Sequence, residues 1–180
     1  QMERAALKPL CLLTAKPVLY VSNVDEHDLH GGKGSNVAAV KAHAHNFGDE
    51  LVLVSARIEQ EIAMLDHQER GAFMNDLGLV ESGLDRVIRA GYSLLGLRTF
   101  FTAGPKEARA WTIKSGMTAS NAAGVIHTDF ERGFIRAETI AYDDFVALGG
   151  EQGARDAGRL RLEGRDYVVN DGDIMHFRFN

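Results

Sequence analysis

Two short apolar runs, each cut off by a polar tip, restrict what this chain can fold into more than anything else in it. The first, Val18-Leu19-Tyr20-Val21, ends in Ser22, Asn23, Asp25 and Glu26; the second, Leu51-Val52-Leu53-Val54, ends in Ser55-Ala56-Arg57. Runs of this length, rich in β-branched and aromatic residues, read as strands buried on both faces, the pattern of a parallel sheet. Between them Val37, Ala38, Val40 and Ala44 fall at helical spacing, with Ser35 or Asn36 as cap and Gly48 as stop. Strand, helix and strand in so short a stretch make a βαβ unit, which sets the strands parallel and both tips on one rim. Ligands of open α/β sheets sit beyond the carboxyl ends of such strands. Asn23 offers a donor and an acceptor and Glu26 only acceptors, a pair suited to reading the edge of a base.

The remainder of the chain is punctuated in the same way. Pro9 disturbs a helical opening (Ala5, Ala6, Leu7), and Leu10-Cys11-Leu12-Leu13 reads as a buried segment holding an inert core thiol. A parallel strand needs neighbours and none precedes this one, so an N-terminal portion is expected to be missing. Gly32-Lys33 fails the phosphate-loop spacing: His27 stands where the first Gly belongs, and Gly34 where Ser or Thr must follow the lysine. Residues 59–77 form an amphipathic helix interrupted near Asp66. Ser82 caps a second helix over 84–95, whose Leu84, Val87, Ile88, Tyr92 and Leu95 make one stripe assigned to the core. From Leu97 short strands take over: a hairpin of 98–103 with 107–113 turning at Gly104-Pro105, then a short helix capped by Thr118 or Ser120. A strand over 134–142, helical turns at 143–148 and 151–159, and a closing hairpin of 167–169 with 174–179 complete the pattern. This describes a small α+β roll with a mixed sheet.

At 180 residues the chain is one large domain or two small ones, and its net charge of −5 gives no general reason to expect nucleic-acid binding. One cysteine excludes an intramolecular disulfide and suits a reducing compartment. With no signal peptide and no apolar run long enough for a bilayer, the expectation is a soluble, cytoplasmic protein. His43 and His45 point apart on a helix. His127, Asp129 and Glu131 would share one face of an extended segment, but no second His or Cys cluster supports a metal site. A tight turn fixed by Thr128 and Asp129, with His127 hydrogen-bonded locally, is expected instead.

Several longer strings carry a resemblance. Lys-Pro-Val-Leu-Tyr-Val-Ser-Asn-Val-Asp-Glu (16–26), Gly-Leu-Asp-Arg-Val-Ile-Arg-Ala-Gly-Tyr (83–92), Phe-Phe-Thr-Ala-Gly (100–104) and Ala-Arg-Ala-Trp-Thr-Ile (108–113) are joined by His-Thr-Asp-Phe-Glu-Arg-Gly-Phe-Ile-Arg-Ala-Glu (127–138), Gly-Glu-Gln-Gly-Ala (150–154) and the last twelve residues. With these the chain resembles, end to end, the C-terminal half of the YchF family of Obg-like P-loop ATPases. Residues 97–180 resemble a TGS domain, a ubiquitin-like β-grasp module. The resemblance implies an α/β remnant of a P-loop NTPase domain over 1–65, linking helices over 66–96 and a TGS domain over 97–180.

It also implies roles. Asn23-Val24-Asp25-Glu26 stands where related GTPases carry the base-reading Asn-Lys-x-Asp. Glu26 replaces the aspartate that clamps guanine and Val24 the stacking lysine, a change associated with preference for ATP. Ser55 and Ala56 occupy the second base-side loop. ATP and Mg²⁺ are implied for the intact parent protein and neither for this chain alone, because the phosphate loop and its magnesium ligand belong to the family's other half. Ribosome or RNA contact is implied as well, with Arg132, Arg136, Arg155 and Arg159 as the candidate phosphate-facing cations. Neither membrane nor DNA is expected as a partner. The rival expectation is a free-standing TGS module that binds RNA, ribosome or protein without nucleotide chemistry.

Overall fold

The structure, a computed structural model, describes residues 8–29, 35–104 and 107–180. These divide into two compact units, one from the start of the chain to Leu95 and one from Gly96 to Asn180. The expected loop between Leu29 and Ser35, the helical opening before Lys8 and the Pro105 turn lie wholly or partly outside the described residues.

In the first unit, β1 (Leu19–Asn23) and β2 (Glu50–Val54) pair in parallel with Asn23 opposite Val54, and α1 (Ser35–Phe47) runs between them. The strands are not buried on both faces as their composition suggests. No residue of β1 is buried: Leu19, Tyr20 and Ser22 are half-buried and Val21 (51%) and Asn23 are exposed, because β2 is its one sheet neighbour among the described residues. The predicted helix over 59–77 is two helices, α2 (Ala56–Met64) and α3 (His67–Asp76). The break is built by a capping box. The Asp66 carboxylate accepts the Gln68 and Glu69 amides, and the Glu69 side chain accepts the Asp66 amide in return. α4 (Gly83–Leu94) follows, capped by Ser82 Oγ accepting the Asp85 amide.

The helices expected over 66–96 lie, up to Leu95, within this unit: Phe73, Met74, Leu77 and Leu79 lie against the buried Leu29, Ile58 and Ile62. Two sequence readings of burial fail here. Leu84, Ile88 and Leu95 are 50–59% exposed, so three of the five residues of the stripe face outward while Gly83 and Ala90 are buried. Leu10, Leu12 and Leu13 are exposed and so is Cys11, because this segment forms two short 3₁₀ turns in which residues 9–16 are all exposed.

The second unit is a five-stranded mixed sheet in the order β4-β3-β7-β5-β6, with β3 (Leu97–Ala103), β4 (Ala108–Lys114), β5 (Phe134–Ala141), β6 (Arg161–Glu163) and β7 (Asp173–Phe179). Only β3 and β7 are parallel; the other pairings are antiparallel. One face packs on α5 (Ala119–Ile126), whose Ala119, Ala122 and Ala123 are fully buried and let its backbone approach Phe100, Ala137, Met175 and Phe177. Phe100 sits between Trp111 and Phe177, with ring centroids 6.4 and 5.8 Å away.

The closing hairpin does not form. Residues 165–169 bond instead to 117–120, through the Ala119 amide to Tyr167 O and the Val169 amide to Met117 O, which leaves β7 to pair with β5 and β3. The buried Asp173 carboxylate fixes that detour, accepting the Tyr167 hydroxyl at 2.8 Å, the Asn170 amide at 2.9 Å and Arg161 at 3.2 Å. Burial and the Asp173 hydrogen bond push the Tyr167 hydroxyl above its ordinary pKa. His127 to Arg132 is not extended: His127 is the N-cap of α6 (Thr128–Arg132), and its Nδ1 accepts the Asp129 amide at 3.1 Å.

Candidate functional site

The two strand tips meet. As β1 ends, the Val24 amide donates to Val54 O at 2.8 Å, prolonging the parallel ladder by one residue. The Asn23 side chain then crosses to the other strand's loop, where its Oδ1 accepts the Ala56 amide at 2.9 Å. Ala56 is the first residue of α2, so its N–H has no acceptor within the helix and needs an outside partner. Asn23 supplies it, and the tips of β1 and β2 become one rim.

The remaining candidates divide between rim and interior. Glu26 opens a 3₁₀ turn (Glu26–Asp28) behind Asp25; both residues are exposed, and the Glu26 carboxylate has no partner among the described residues. Ala56 and Arg57 are exposed beside Asn23, and Arg57 pairs along its helix with Glu61 at 3.1 Å. Ser55 is buried, 4% exposed, and its carbonyl accepts the Glu59 amide at 2.9 Å. The Val24 side chain packs towards Leu29, Ile58 and Ile62, so it is an inward anchor of that cluster and not a group presented at the rim.

Two supports were not foreseen. The Glu59 carboxylate, one turn into α2, accepts the Gly83 amide at 2.7 Å and the Leu84 amide at 3.2 Å, holding the N-terminus of α4. A Cβ on Gly83 would lie 2.8 Å from Glu59 Oε1 and 3.1 Å from a Val54 methyl, so a larger residue there would push the Glu59 carboxylate off the Gly83 amide. Arg86 then donates to Leu53 O on β2 at 2.9 Å. No local signal ties Glu59 to Gly83 or Arg86 to Leu53, since each pair is far apart in sequence.

In the second unit the four arginines do not make a bare cationic face. Arg155 pairs with Glu151 at 2.7 Å and reaches Glu138 at 3.9 Å, while Arg159 lies 3.9 Å from Asp144. Arg132 and Arg136 are exposed and have no carboxylate partner among the described residues. Arg178, opposite Arg136 across the β5–β7 ladder, bonds both oxygens of Glu138 at 3.2 Å and holds that carboxyl below its ordinary range, against the opposing effect of burial. The surface is one of mixed charge.

Comparison with known proteins bears on both units. Residues 97–180 match the family model YchF-GTPase_C, described as a protein of unknown function (DUF933). The chain is 55% identical over 179 residues to the ribosome-binding ATPase YchF of Bacillus subtilis, covering 99% of this chain and 49% of that one. It is 42% identical over 171 residues to the rat Obg-like ATPase 1, covering 94% and 43%. Among solved structures, the YchF GTPase of Schizosaccharomyces pombe superposes with a TM-score of 0.79 at 36% identity, over 97% of this chain and 46% of that one. The chain spans about half the length of the relatives it matches.

Proposed function

The chain belongs to the YchF family, and from that premise we propose that it supplies the base-recognising half of an ATP site and a TGS domain within a ribosome-associated, cytoplasmic ATPase. The observation that carries this reading is the Asn23–Ala56 hydrogen bond, which joins two parallel strand tips into a rim with the free Glu26 carboxylate beside it. A carboxylate is acceptor-only and suits the exocyclic amine of adenine. Guanine presents two adjacent donors, which Asp at this position reads in related GTPases; the longer Glu26, with Val24 turned inward, lacks that clamp. Ser55 and Ala56 contribute backbone at the second base-side loop.

The residues present fit a base and not a triphosphate. The sequence holds no Gly-x-x-x-x-Gly-Lys-Ser/Thr string, so the phosphates and Mg²⁺ of an ATP site would be held by the other half of the protein. No step of phosphoryl transfer falls to a residue of this chain. The open edge of β1 and the exposed Val21 are where strands of that half would join. The chain is expected to bind ATP weakly by itself and to hydrolyse none.

Residues 97–180 are read as the TGS domain: their sheet folds as a separate unit with its own core, and this also favours a second reading, a module that binds RNA, ribosome or protein without nucleotide. Co-sedimentation of the chain with ribosomes at graded salt, with and without ATP, tests both. Binding that weakens in Arg132→Ala and Arg136→Ala supports a phosphate contact through this unit. Ribosome binding unaffected by salt and by both substitutions contradicts it.

A further inference from the structure

An apolar groove on the second unit, lined by none of the arginines discussed above, has a chemistry of its own. Its walls are Thr99 and Phe101 of β3, Ala141, Tyr142 and Asp143 where β5 runs into α7 (Tyr142–Ala147), and the Asp171-Gly172 turn before β7; it is open, with a volume of about 460 Å³. The backbone explains why it exists. β3 and β7 pair directly only at Phe101 and Ile174. Beyond that point the Asp171 Oδ1 accepts the Thr99 amide at 2.7 Å and the Gly172 amide donates to Thr99 O at 2.8 Å, so a turn replaces the strand. Gly172 has φ +82°, and a Cβ there would meet the Tyr142 Cβ at 3.4 Å, so the tyrosine lies close over the turn.

What lines the groove selects its occupant. The Phe101 and Tyr142 rings stand 5.9 Å apart, tilted by 39°, and Tyr142 is 51% exposed, so aromatic surface remains open. Asp143 and Asp171 are exposed at the rim; among the described residues no Lys, Arg or His lines the groove, and Asp143 has no partner. Aromatic faces beside uncompensated carboxylates attract a planar cation, and they repel phosphate. We propose that this groove docks an arginine side chain of a basic protein segment, its guanidinium stacked on Tyr142 and Phe101 and hydrogen-bonded to Asp143. RNA and anionic membranes are disfavoured occupants of this face because the carboxylates oppose them.

The test is an NMR titration of the chain with a short blocked glycine peptide carrying one arginine, against the same peptide carrying lysine or citrulline, the neutral analogue of arginine. The arginine peptide is expected to shift the amides of Phe101, Tyr142, Asp143 and Gly172, and to bind at least threefold more tightly than the lysine peptide. The citrulline peptide is expected to leave those amides unmoved. Tyr142→Ala and Asp143→Asn, both at exposed positions, are each expected to weaken binding about fivefold with the rest of the spectrum unchanged. Citrulline or lysine binding as well as arginine overturns the proposal. So does binding unaffected by both substitutions, shifts confined to other residues, or an oligoribonucleotide that occupies the same amides.

Discussion

Replacing Asn23 by alanine removes one hydrogen bond and nothing else that the structure assigns to that side chain, and its effect can be followed at a single amide. The Ala56 N–H is the first of its helix and has no internal acceptor, so Asn23 Oδ1, 2.9 Å away, is what shields it from solvent. An exposed neutral hydrogen bond contributes about 1 kcal/mol net, or roughly a factor of 5 in an opening equilibrium. Asn23→Ala should therefore raise the exchange rate of the Ala56 amide about fivefold. The Val24 amide, bonded to Val54 O at 2.8 Å, should keep its protection. Asn23→Asp retains an acceptor and adds negative charge at a helix N-terminus, so exchange there should stay at the wild-type rate or fall. In urea the alanine variant should lose about 1 kcal/mol, a midpoint shift of about 0.3–1 M. Native-state hydrogen exchange by NMR reads all three. Unchanged Ala56 exchange in Asn23→Ala, or equal loss in Asn23→Asp, would refute the tie between the strand tips.

Other outcomes follow from the same contacts. Gly83→Ala places a methyl 2.8 Å from Glu59 Oε1 and 3.1 Å from Val54. It should cost about 1–3 kcal/mol in urea unfolding, and a wild-type midpoint would show the close approach to be absent. The Glu138 carboxyl is held below its ordinary value of 4.5 by Arg178. Its stabilising contribution is therefore complete above that ordinary value and lost as pH falls through the lower folded value; Arg178→Gln should move the Glu138 NMR titration upward, and an unmoved midpoint would exclude this cause. Cys11 is exposed and should react with a thiol reagent in the native protein at the rate of a small free thiol; labelling that requires denaturant would place it in a core.

What could be read from the sequence followed from how local the determining physics was. The parallel βαβ pairing rests on two apolar runs with polar tips and a helical period between them, and it stands in the structure with Asn23 opposite Val54. The Arg98 hairpin and the strand from Phe134 were equally local. Burial was not. Leu13 and Ile88 have the composition of core residues, yet whether either is covered depends on partners remote in sequence. The false hairpin at 167–179 has a similar origin: its turn residues are present, but buried Asp173 commits Tyr167 and Asn170 to a detour that pairing rules cannot see. That the two strand tips meet at Asn23 was legible because strand ends announce themselves. That Val24 turns into the Leu29–Ile58–Ile62 cluster, and that Glu59 anchors the helix at Gly83, were not, since both depend on residues brought close by the fold.

The most direct measurement is nucleotide selectivity in a full-length protein, made by joining this chain to the half of its Bacillus subtilis relative that it does not match. Titration with MgATP and MgGTP should show tighter binding of ATP, and the paired substitution Glu26→Asp with Val24→Lys should move preference towards GTP. Unchanged ATP selectivity in the double variant would contradict the assignment of the Asn23–Glu26 rim as the base-reading site.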